Sequence, residues 1–525
     1  MSNKVFITSW FFVICVIGLL IYLPAYHAPF QLDDYFTIIL NPVIQNLSRL
    51  DHMWLYDPSR FITHVTFAIN FAIGQLNPLG YHVVNVLIHI ANASLVFTFI
   101  LLFRKRMKIC LSATVFSVLI FLMHPIQTSA VTYVAQRSTL LTFFFYLSTI
   151  ILFWQYRQSR KSRYYILSLI ATLLGCLCKP IMITVPFALI LVDLCFSERN
   201  TRRWNLFVPY LTIVLSIPLF LSFWRYQTID ISTILSITRE ADVLTRSQYL
   251  YTQFHVIWKY IQLVFIPVGQ NLDYDFPIYA SFFNQRTVLA FTGLLGIFIY
   301  ALKVFPTKRL ISFCILWIFI TLALESSVFP IRDVIFEHRL YIPMLGFSLL
   351  LGHAPGAVIN KYPRSKYLFL ALLIGLATLT IQRNYVWADR IRLLEDVAMK
   401  SPNKMRVLNN LSVAYAEEGR FDKAINFMHS IIQRFPYHPE AVNNLANTLR
   451  KMGRFEEAIE YYNQLIAADP HNGASYYFRS QCYYQLRDYK QAYNDAHQAK
   501  RLDFSHIGVK YINSLEELIS PKVAP

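Results

Sequence analysis

Two adjacent carboxylates, Asp33 and Asp34, follow closely on the first long apolar run of the sequence, residues 5–23. A charge beside hydrocarbon is costly unless it is solvated or used. Such a pair can form the acid/base centre of a group transfer, in which one carboxylate takes the proton of an attacking hydroxyl. The alternative is local, because an Asp that precedes a helix often caps its first turn. The pair alone favours neither interpretation.

Three further polar clusters lie at the ends of apolar runs. They are His124-Pro125 with the polar residues that follow as far as Arg137, then Lys179-Pro180, and Glu337-His338-Arg339 followed by Tyr341-Ile342-Pro343. Each alone is compatible with an interfacial anchor, since Lys and Arg side chains extend readily to a membrane surface. Together they place an acidic pair and three cations on one face of a membrane. Removing a sugar from a lipid phosphate needs this combination, because a base activates the acceptor and cations stabilise the departing phosphate.

A long loop, residues 27–80, separates the first two apolar runs and carries Arg60 and His64. Loops of this kind shape active sites above a membrane, and we include both residues among the candidates. The alternative is a surface helix anchored by its aromatic side chains, Trp54 and Tyr56.

No metal-binding pattern is present in the sequence. The fourteen histidines are scattered, and neither a His-Glu-x-x-His motif nor a paired cysteine motif occurs. An adjacent Asp pair can hold a divalent cation together with a phosphate. The sequence therefore implies no cofactor and leaves dependence on a divalent cation open.

The composition indicates a multi-pass membrane protein. Of the 525 residues, 55% are apolar and only 15% charged, against about 25% charged in soluble domains. The net charge of +18 does not indicate nucleic-acid binding. The part from Arg383 onward holds 19 Lys and Arg against 16 Asp and Glu, which leaves +15 in the membrane part, mostly in loops between apolar runs. The first run, preceded by Lys4 and lacking a cleavage pattern, is predicted to be a retained anchor.

Eleven membrane spans are predicted from runs of about 20 apolar residues, four of them short. They lie near residues 5–24, 81–103, 109–123, 138–156, 164–178, 181–196, 205–224, 287–304, 310–328, 340–352 and 367–382. Basic loops between spans are expected on the cytoplasmic side. Alternation then puts the acidic pair, residues 124–137, Lys179, residues 225–286 and residues 337–339 on the outer side.

One segment, residues 251–267, is apolar enough to span but contains His255 and Lys259. Counting it as a span would invert every later loop. We therefore predict an interfacial or re-entrant helix. With that choice, 12 of the 14 acidic residues before Arg383 fall on the outer side, and Asp193 and Glu198 are the exceptions.

The C-terminal part repeats with a period of 34 residues. Five residues recur at that spacing: Asn410, Gly419, Phe421, Ala424 and Pro436 return as Asn444, Gly453, Phe455, Ala458 and Pro470. A looser third copy has Tyr489 and Ala492, with Arg487 in place of the glycine. This period, with small residues at helix contacts and a closing Pro, is typical of tetratricopeptide repeats. Such arrays hold peptides on a concave surface or only mediate assembly.

In combination these motifs resemble the transmembrane and tetratricopeptide-repeat (TMTC-type) O-mannosyltransferases and their bacterial relatives. The resemblance rests on Asp33-Asp34, the run from Leu76 to Asn85 with His89, the His124 cluster ending in Arg137, and Glu337-His338-Arg339 with the following Tyr-Ile-Pro. It covers nearly the whole chain, including the order of membrane domain (1–382) and repeats (383–525). The implied fold is all-α, with a polytopic GT-C membrane domain followed by an α-solenoid.

The resemblance implies transfer of a hexose, with mannose as the first expectation, from a polyprenyl-phosphate donor to Ser or Thr of a protein held by the repeats. The first Asp of the pair would be the base, Arg137 and Arg339 would lie near the donor phosphate, and Lys179 is a weaker candidate. The other active-site candidates are His124, Glu337, His338, Tyr341, Arg60 and His64. Relatives often carry Glu where this chain has Ser129. Three repeats are fewer than in animal members, which predicts a bacterial inner-membrane protein with periplasmic repeats, or an endoplasmic reticulum protein in a eukaryote.

Two alternatives remain open at this point. A glycan ligase or polymerase with a polyprenyl-linked donor would use cations and a long late outer loop, without an essential acidic pair. A non-catalytic membrane scaffold that displays the repeats would function without Asp33.

Overall fold

The computed structural model describes residues 3–198, 202–226, 244–436, 438–504 and 508–519, and no β-strand occurs among them. The chain divides into two compact units, Met1–Arg390 and Ile391–Pro525. The boundary between the membrane domain and the repeats was predicted at residue 382. That position lies inside the helix Lys366–Trp387, and the division between the two compact units falls after this helix.

The first unit is a bundle of helices joined by short 3₁₀ turns. In chain order the helices are α1 (Asn3–Ile21), α2 (Leu50–Tyr56), α3 (Phe61–Gly74), α4 (Pro78–Met107), α5 (Leu111–Met123), α6 (Thr128–Val131), α7 (Arg137–Ser159), α8 (Ser162–Cys176), α9 (Val185–Phe196), α10 (Val208–Tyr226), α11 (Arg246–Phe265), α12 (Gln285–Val304), α13 (Arg309–Leu322), α14 (Met344–Lys361) and α15 (Lys366–Trp387).

Each of the eleven predicted spans falls on one of these helices. Among the described residues, four helices are long and apolar enough to cross a membrane, or five if the bent pair Leu111–Met123 and Pro125–Val131 counts as one span. Other apolar helices are shorter, because 3₁₀ turns interrupt the apolar runs, as at Pro180–Thr184 before α9. The count of eleven remains a prediction.

Helix α11 occupies the segment that we predicted to be interfacial or re-entrant. It begins at a capping box formed by Thr245 and Gln248 and continues for 20 residues. Its buried face carries polar-tipped side chains, including Tyr249, Gln253 and Tyr260. It is not among the helices apolar enough to span, and its membrane placement remains a prediction. The adjacent residues 227–243, in the predicted outer region 225–286, lie outside the described residues.

Close packing of α5 against α14 fixes the position of the segment that precedes α14. A Cβ atom on Gly352 would lie 2.6 Å from the backbone N of Ser117, and one on Gly356 would lie 2.6 Å from that of Ala113. Small residues spaced by four allow two membrane helices to approach this closely. The tight contact anchors the polar segment 337–343 at the same end of the bundle as the His124 turn that follows α5.

The second unit consists of helix pairs at the predicted period. After α16 (Arg390–Lys400), the pairs are α17 (Met405–Glu417) with α18 (Phe421–Arg434), α19 (Pro439–Lys451) with α20 (Phe455–Ala468), and α21 (Gly473–Gln485) with α22 (Tyr489–Arg501), and α23 (Val509–Ile519) closes the array. Equivalent helices start 34 residues apart.

The turn inside each helix pair explains the repeated glycine. Gly419 and Gly453 have φ angles of 73° and 80°, and Arg487, at the same place in the third repeat, has 64°. Glycine adopts this left-handed region without the steric cost that a Cβ atom adds. The third repeat keeps the turn geometry although the glycine is lost.

Candidate active site

Asp34 is buried, with only 1% of its surface exposed. Its Oδ2 accepts the N–H of Gln31 at 2.9 Å, and its Oδ1 accepts the N–H of Ala135 at 2.6 Å. It precedes the short π-helix Tyr35–Ile39 but makes no side-chain cap bond to it. The capping interpretation therefore does not describe this carboxylate, which joins the loop of residues 27–80 to the turn before α7. Burial raises the pKa of Asp34 to about 7, against the opposing effect of the two N–H bonds.

Asp33, by contrast, is exposed. Its backbone N–H donates to the hydroxyl oxygen of Tyr133 at 2.9 Å. Tyr133 is itself buried and packs against Trp387 with ring centroids 5.7 Å apart. Burial, and secondarily the charges of Asp33 and Asp34, raise the pKa of Tyr133 well above its ordinary value, so the hydroxyl stays protonated. The Asp33 backbone is thus held, and the exposed Asp33 side chain lies beside the Tyr133 hydroxyl.

Arg137 is fully buried at the start of α7. Its guanidinium donates to Asn85 Oδ1 at 2.8 Å, Asn70 Oδ1 at 2.6 Å, the Thr66 carbonyl at 3.1 Å and the Tyr81 carbonyl at 3.0 Å. Each nitrogen therefore already has a protein acceptor. We call Asp34, Arg137 and these partners the closed shell. The contacts favour a role for Arg137 in positioning α3, α4 and α7 over direct contact with a phosphate.

Lys179 lies in a different environment. Its Nζ forms an ion pair with Glu325 Oε1 at 2.7 Å and donates to Thr139 Oγ1 at 3.3 Å. Both charged side chains are 12% exposed. Burial alone would raise the pKa of Glu325, but the charges of Lys179 and Arg339 hold it below its ordinary value. Glu325 is therefore ionised, and a second cation shares its charge.

Arg60 reaches the same place from the loop of residues 27–80. The Ile62 N–H donates to the Leu177 carbonyl at 3.1 Å, which ties the loop segment carrying Arg60 to the turn carrying Lys179. The Arg60 side chain is 43% exposed, and its nearest carboxylate, Asp57, lies 3.8 Å from its Nε. Arg60 is thus a cation with one weak ion pair, close to the Lys179–Glu325 bridge.

Arg339 is fixed by carbonyl groups and by α11. Its guanidinium donates to the Val334 carbonyl at 3.0 Å and the Asp333 carbonyl at 2.8 Å. Tyr249 of α11 accepts a longer bond from it at 3.4 Å and donates to the Glu325 carbonyl at 2.6 Å. Although burial acts to lower the pKa of Arg339, the neighbouring Tyr and Glu325 side chains raise it overall. Helix α11 therefore holds both Glu325 and Arg339 in place.

Two further bonds show the same supporting role of α11. Gln253 donates to the Val334 carbonyl at 2.8 Å, and the Tyr260 hydroxyl donates to the Phe336 carbonyl at 2.9 Å. The face of α11 that carries these side chains thus fastens the whole segment from Glu325 to His338.

His338 is buried among the three cations. It is 6% exposed, and its ring stacks on Phe336 with centroids 5.0 Å apart. Burial, reinforced by the charges of Lys179, Arg339 and Arg60, lowers its pKa well below the ordinary value, so the ring is neutral at pH 7. We call Arg60, Lys179 and Arg339, with Glu325 and His338, the cation cluster.

The remaining candidates are engaged in the protein core or close to it. His124 Nε2 pairs with the Val264 carbonyl at 3.0 Å, Glu337 accepts from the Asn271 N–H at 2.6 Å, and Tyr341 contacts His89 Nδ1 at 2.7 Å. These contacts connect helices and do not bring the three residues into the cation cluster. His64 is buried beside Tyr56, and burial lowers its pKa. It is close enough to Arg60 to sense its charge.

The start of α7 brings the acidic pair and the cation cluster together. Ala135 binds Asp34, and Thr139, four residues later, binds Lys179. The first contact lies in the 3₁₀ turn Val134–Gln136 and the second lies in the first turn of α7. The acidic pair and the Lys179–Glu325 bridge therefore contact the same short stretch of chain, residues 135–139.

An apolar groove of about 570 Å³ is built from chain segments next to the cation cluster. Its walls are α9 and the end of α13, with Ile183, Phe187, Leu191, Leu324 and Phe329 among the lining residues. Leu324 directly precedes Glu325, and Ile183 follows Lys179 by four residues. From residue 183 to residue 194 the groove follows its wall for about 16 Å. It is suited to a hydrocarbon chain whose polar head lies at the cations.

Several residues of this site were not identified from the sequence. Glu325, Thr139, Tyr133 and the polar face of α11 are examples. The sequence offered one usable signal, because Tyr249, Gln253, Val256 and Tyr260 follow a helical period. Nothing in the sequence connects Glu325 to Lys179. Among the described residues no three His, Cys, Asp or Glu side chains are grouped to hold a metal ion.

Comparison with known proteins gives related sequences for both units. Tetratricopeptide-repeat profiles match residues 415–465 and 443–500. Protein O-mannosyl-transferase TMTC3 of Mus musculus is 24% identical over 411 residues, which cover 70% of this chain and 43% of the mouse protein. Protein O-mannosyl-transferase F38B6.6 of Caenorhabditis elegans is 24% identical, covering 78% of this chain and 60% of its own length. Protein O-mannosyl-transferase TMTC4 of Homo sapiens is 23% identical, with 79% and 65% covered.

Among solved structures, MamA 41-end from Desulfovibrio magneticus RS-1 aligns with 25% of this chain and 72% of its own, at 21% identity and a TM-score of 0.23. The chain spans less than half the length of the TMTC3 proteins that it matches. Over most of its own length, however, it is similar to the TMTC protein O-mannosyl-transferases, and its C-terminal unit carries tetratricopeptide repeats.

Proposed function

We propose that this protein is a multi-pass membrane glycosyltransferase of the GT-C type, with about eleven spans. It transfers a hexose, mannose in the first instance, from a polyprenyl-phosphate donor to Ser or Thr hydroxyls of a protein. The observation that carries the proposal is that the exposed Asp33, through its neighbour Asp34, and a cation cluster, through Lys179, contact the same stretch of chain, residues 135–139. An apolar groove is built from the segments that follow Lys179 and precede Glu325. The similarity to protein O-mannosyl-transferases supports the choice of sugar and acceptor.

In the proposed reaction each part of the donor has its own place. The polyprenyl chain lies in the groove beside α9, and the phosphate faces Arg60, Lys179 and Arg339. The sugar then extends toward Asp33. Fixed cations in a site shielded from water stabilise the charge that develops on the departing phosphate, so the chain's own side chains supply the positive charge.

The chemical step is a direct displacement. Asp33 takes the proton of the acceptor hydroxyl while the hydroxyl oxygen bonds to the anomeric carbon. The bond between that carbon and the phosphate oxygen breaks, and its electron pair leaves with the polyprenyl phosphate. A single displacement inverts the configuration of the anomeric carbon and forms no covalent sugar–enzyme intermediate. Asp34 holds the loop that positions Asp33.

The decisive experiment replaces Asp33 by Asn and measures single-turnover transfer by mass spectrometry of an acceptor peptide. Asn has the same size but cannot accept the proton, so we expect transfer to fall by about 10²–10⁴-fold, with donor binding and thermal stability unchanged. The control is the acceptor profile of cells with and without the gene, in which a hexose mass on Ser or Thr should disappear. Wild-type turnover in Asp33→Asn would overturn the mechanism and leave a scaffold role.

The proposal also requires that the repeats face the outer side of the membrane. A cytoplasmic N-terminus followed by eleven spans puts Ile391–Pro525 in the periplasm, or in the lumen of the endoplasmic reticulum in a eukaryote. There the repeats would hold the acceptor protein. A reporter fused after Pro525 should be active outside the cytoplasm only. Activity confined to the cytoplasm would contradict both the span count and the side on which Asp33 acts.

A further inference from the structure

His338 is a buried polar group without a protein partner in the described part of the chain. Its Nδ1 is shielded from solvent and makes no hydrogen bond. Leaving such a group unpaired in the interior is unfavourable, so an unpaired one calls for an explanation. Phe336 stacks on the ring at an angle of 26°, which fixes the ring plane. The unpaired nitrogen is therefore held in one direction.

The surroundings of His338 define what could pair with it. Arg60, Lys179 and Arg339 are the cations that act on it, with Glu325 paired to Lys179 and Asp57 lying 3.8 Å from Arg60 Nε. With His338 neutral, three positive charges and two negative charges leave a net charge of +1. The missing partner is therefore an anion with lone pairs, and it accepts from a neutral N–H rather than from a fourth cation.

The proposed donor has this character, and its charge changes during the reaction. A polyprenyl phosphate-linked sugar is a phosphodiester with one negative charge, and the polyprenyl phosphate that departs approaches two. A positively charged cluster attracts the departing form more strongly than the bound sugar donor. An interaction that is stronger with the departing group than with the bound donor accelerates the reaction. Neutral His338, acting as a hydrogen-bond donor beside the cations, adds a directed hydrogen bond without adding charge.

We infer that the Nδ1–H of His338 donates a hydrogen bond to a phosphoryl oxygen of the polyprenyl phosphate, and that His338 is thus a phosphate-binding residue of the transfer site. This inference rests on the proposed function. It assigns a specific role to a residue that the sequence placed only within a polar cluster.

The test measures binding of farnesyl phosphate, a short polyprenyl phosphate, to the purified full-length protein, with farnesol as the ligand that lacks the phosphate. Three variants are compared: His338→Asn, His338→Gln and His338→Leu. The amide nitrogen of Asn is three bonds from Cα, as Nδ1 is, whereas that of Gln is four bonds away. Asn can therefore restore the hydrogen bond, while Gln is displaced and Leu has no donor.

We expect His338→Leu and His338→Gln to bind farnesyl phosphate about 10- to 100-fold more weakly, as for loss of one hydrogen bond to a charged group. His338→Asn should stay within about threefold of the wild type, and farnesol binding should be the same in all proteins. The matched control is His353→Leu. His353, in α14, also has a buried, unpaired Nδ1, but its replacement should leave affinity unchanged because it follows Arg339 by several helical turns.

Equal affinity of wild type and His338→Leu would overturn the inference while leaving the proposed function intact. Weak binding by all three His338 variants would show that His338 acts through packing, and this result would also overturn the inference. Failure of the wild type to bind farnesyl phosphate would overturn the inference together with the proposed donor. Thermal unfolding of each variant is measured in parallel, and if His338→Leu does not fold, the contrast between Asn and Gln decides.

Discussion

The closed shell and the cation cluster contact the same short stretch of chain, residues 135–139, yet they differ in how their polar groups are used. In the closed shell, each guanidinium nitrogen of Arg137 and each carboxylate oxygen of Asp34 has a protein partner. In the cation cluster, the Arg60 side chain is partly exposed and His338 Nδ1 is unpaired. The first arrangement is complete without a ligand, whereas the second is completed by an anion.

This difference teaches that a buried cation near an active site is not necessarily a ligand-binding residue. Arg137 and Arg339 occupy similar positions in the sequence pattern, each at the end of an apolar run. Each guanidinium nitrogen of Arg137 has a side-chain amide or carbonyl acceptor, while Arg339 belongs to a cluster with a surplus of positive charge. Variants should therefore separate the two groups, with loss of stability in one and loss of activity in the other.

The largest effect is expected at Lys179. Lys179→Met leaves Glu325 without its partner at 2.7 Å, and breaking a buried ion pair from one side costs about 3–5 kcal/mol. The double variant with Glu325→Gln should recover most of that free energy of unfolding. It should still transfer sugar about 10²–10³-fold more slowly, because a phosphate-stabilising charge is missing. Denaturant unfolding and single-turnover transfer give the two quantities. A stable double variant with normal turnover would remove Lys179 from the site.

Arg137→Ala should act on stability first. It leaves Asn85, Asn70 and the Tyr81 carbonyl without a donor in the interior, so we expect a loss of at least about 3 kcal/mol. Its matched control is Arg60→Ala, which should leave the unfolding midpoint unchanged and weaken donor affinity about 10-fold. Denaturation and farnesyl phosphate binding are measured for both. A stable Arg137→Ala with weakened donor affinity would return Arg137 to the phosphate site.

The repeat unit shows how far sequence reasoning can extend. The 34-residue period predicted the spacing of the repeat helices, because each helix pair contacts mainly its neighbours and the pattern is local. Gly419 and Gly453 mark turns with positive φ, a property that one residue type signals by itself. The third repeat keeps the same turn with Arg487 in place of the glycine, so the rest of the repeat is sufficient to specify the positive φ angle.

In the membrane unit the sequence located the polar clusters but not their partners. Asp33, Lys179, His338 and Arg339 were recognisable because charges beside apolar runs are conspicuous. Glu325 was not, since its pairing with Lys179 joins positions 146 residues apart along the chain and depends on the packing of α7, α9 and α13. Which of the two carboxylates is buried also depends on tertiary structure, because Asp34 is buried where it contacts Ala135 and Asp33 stays exposed.

The smallest effect concerns the dependence of stability on pH at Asp34. Burial raises the pKa of Asp34 to about 7 in the folded protein, whereas an unfolded Asp titrates near about 3.9. Between these values the folded state binds a proton that the unfolded state has released. The free energy of unfolding should therefore fall as the pH rises from about 4 to about 7, with a limiting slope of about 1.4 kcal/mol per pH unit, and level off above.

The measurement is the difference in unfolding free energy between wild type and Asp34→Asn at pH 5, 6, 7 and 8, so that contributions from other titrating groups cancel. Asn is neutral at every pH and must turn its amide toward one of the two N–H groups of Gln31 and Ala135, which adds a cost that does not vary with pH. The wild-type advantage should therefore shrink as the pH rises to 7. Asp33→Asn, whose side chain is exposed, should show no such trend. An advantage that grows with pH would mean that the two N–H bonds outweigh burial and hold Asp34 ionised, and the closed shell would then contain a fixed negative charge.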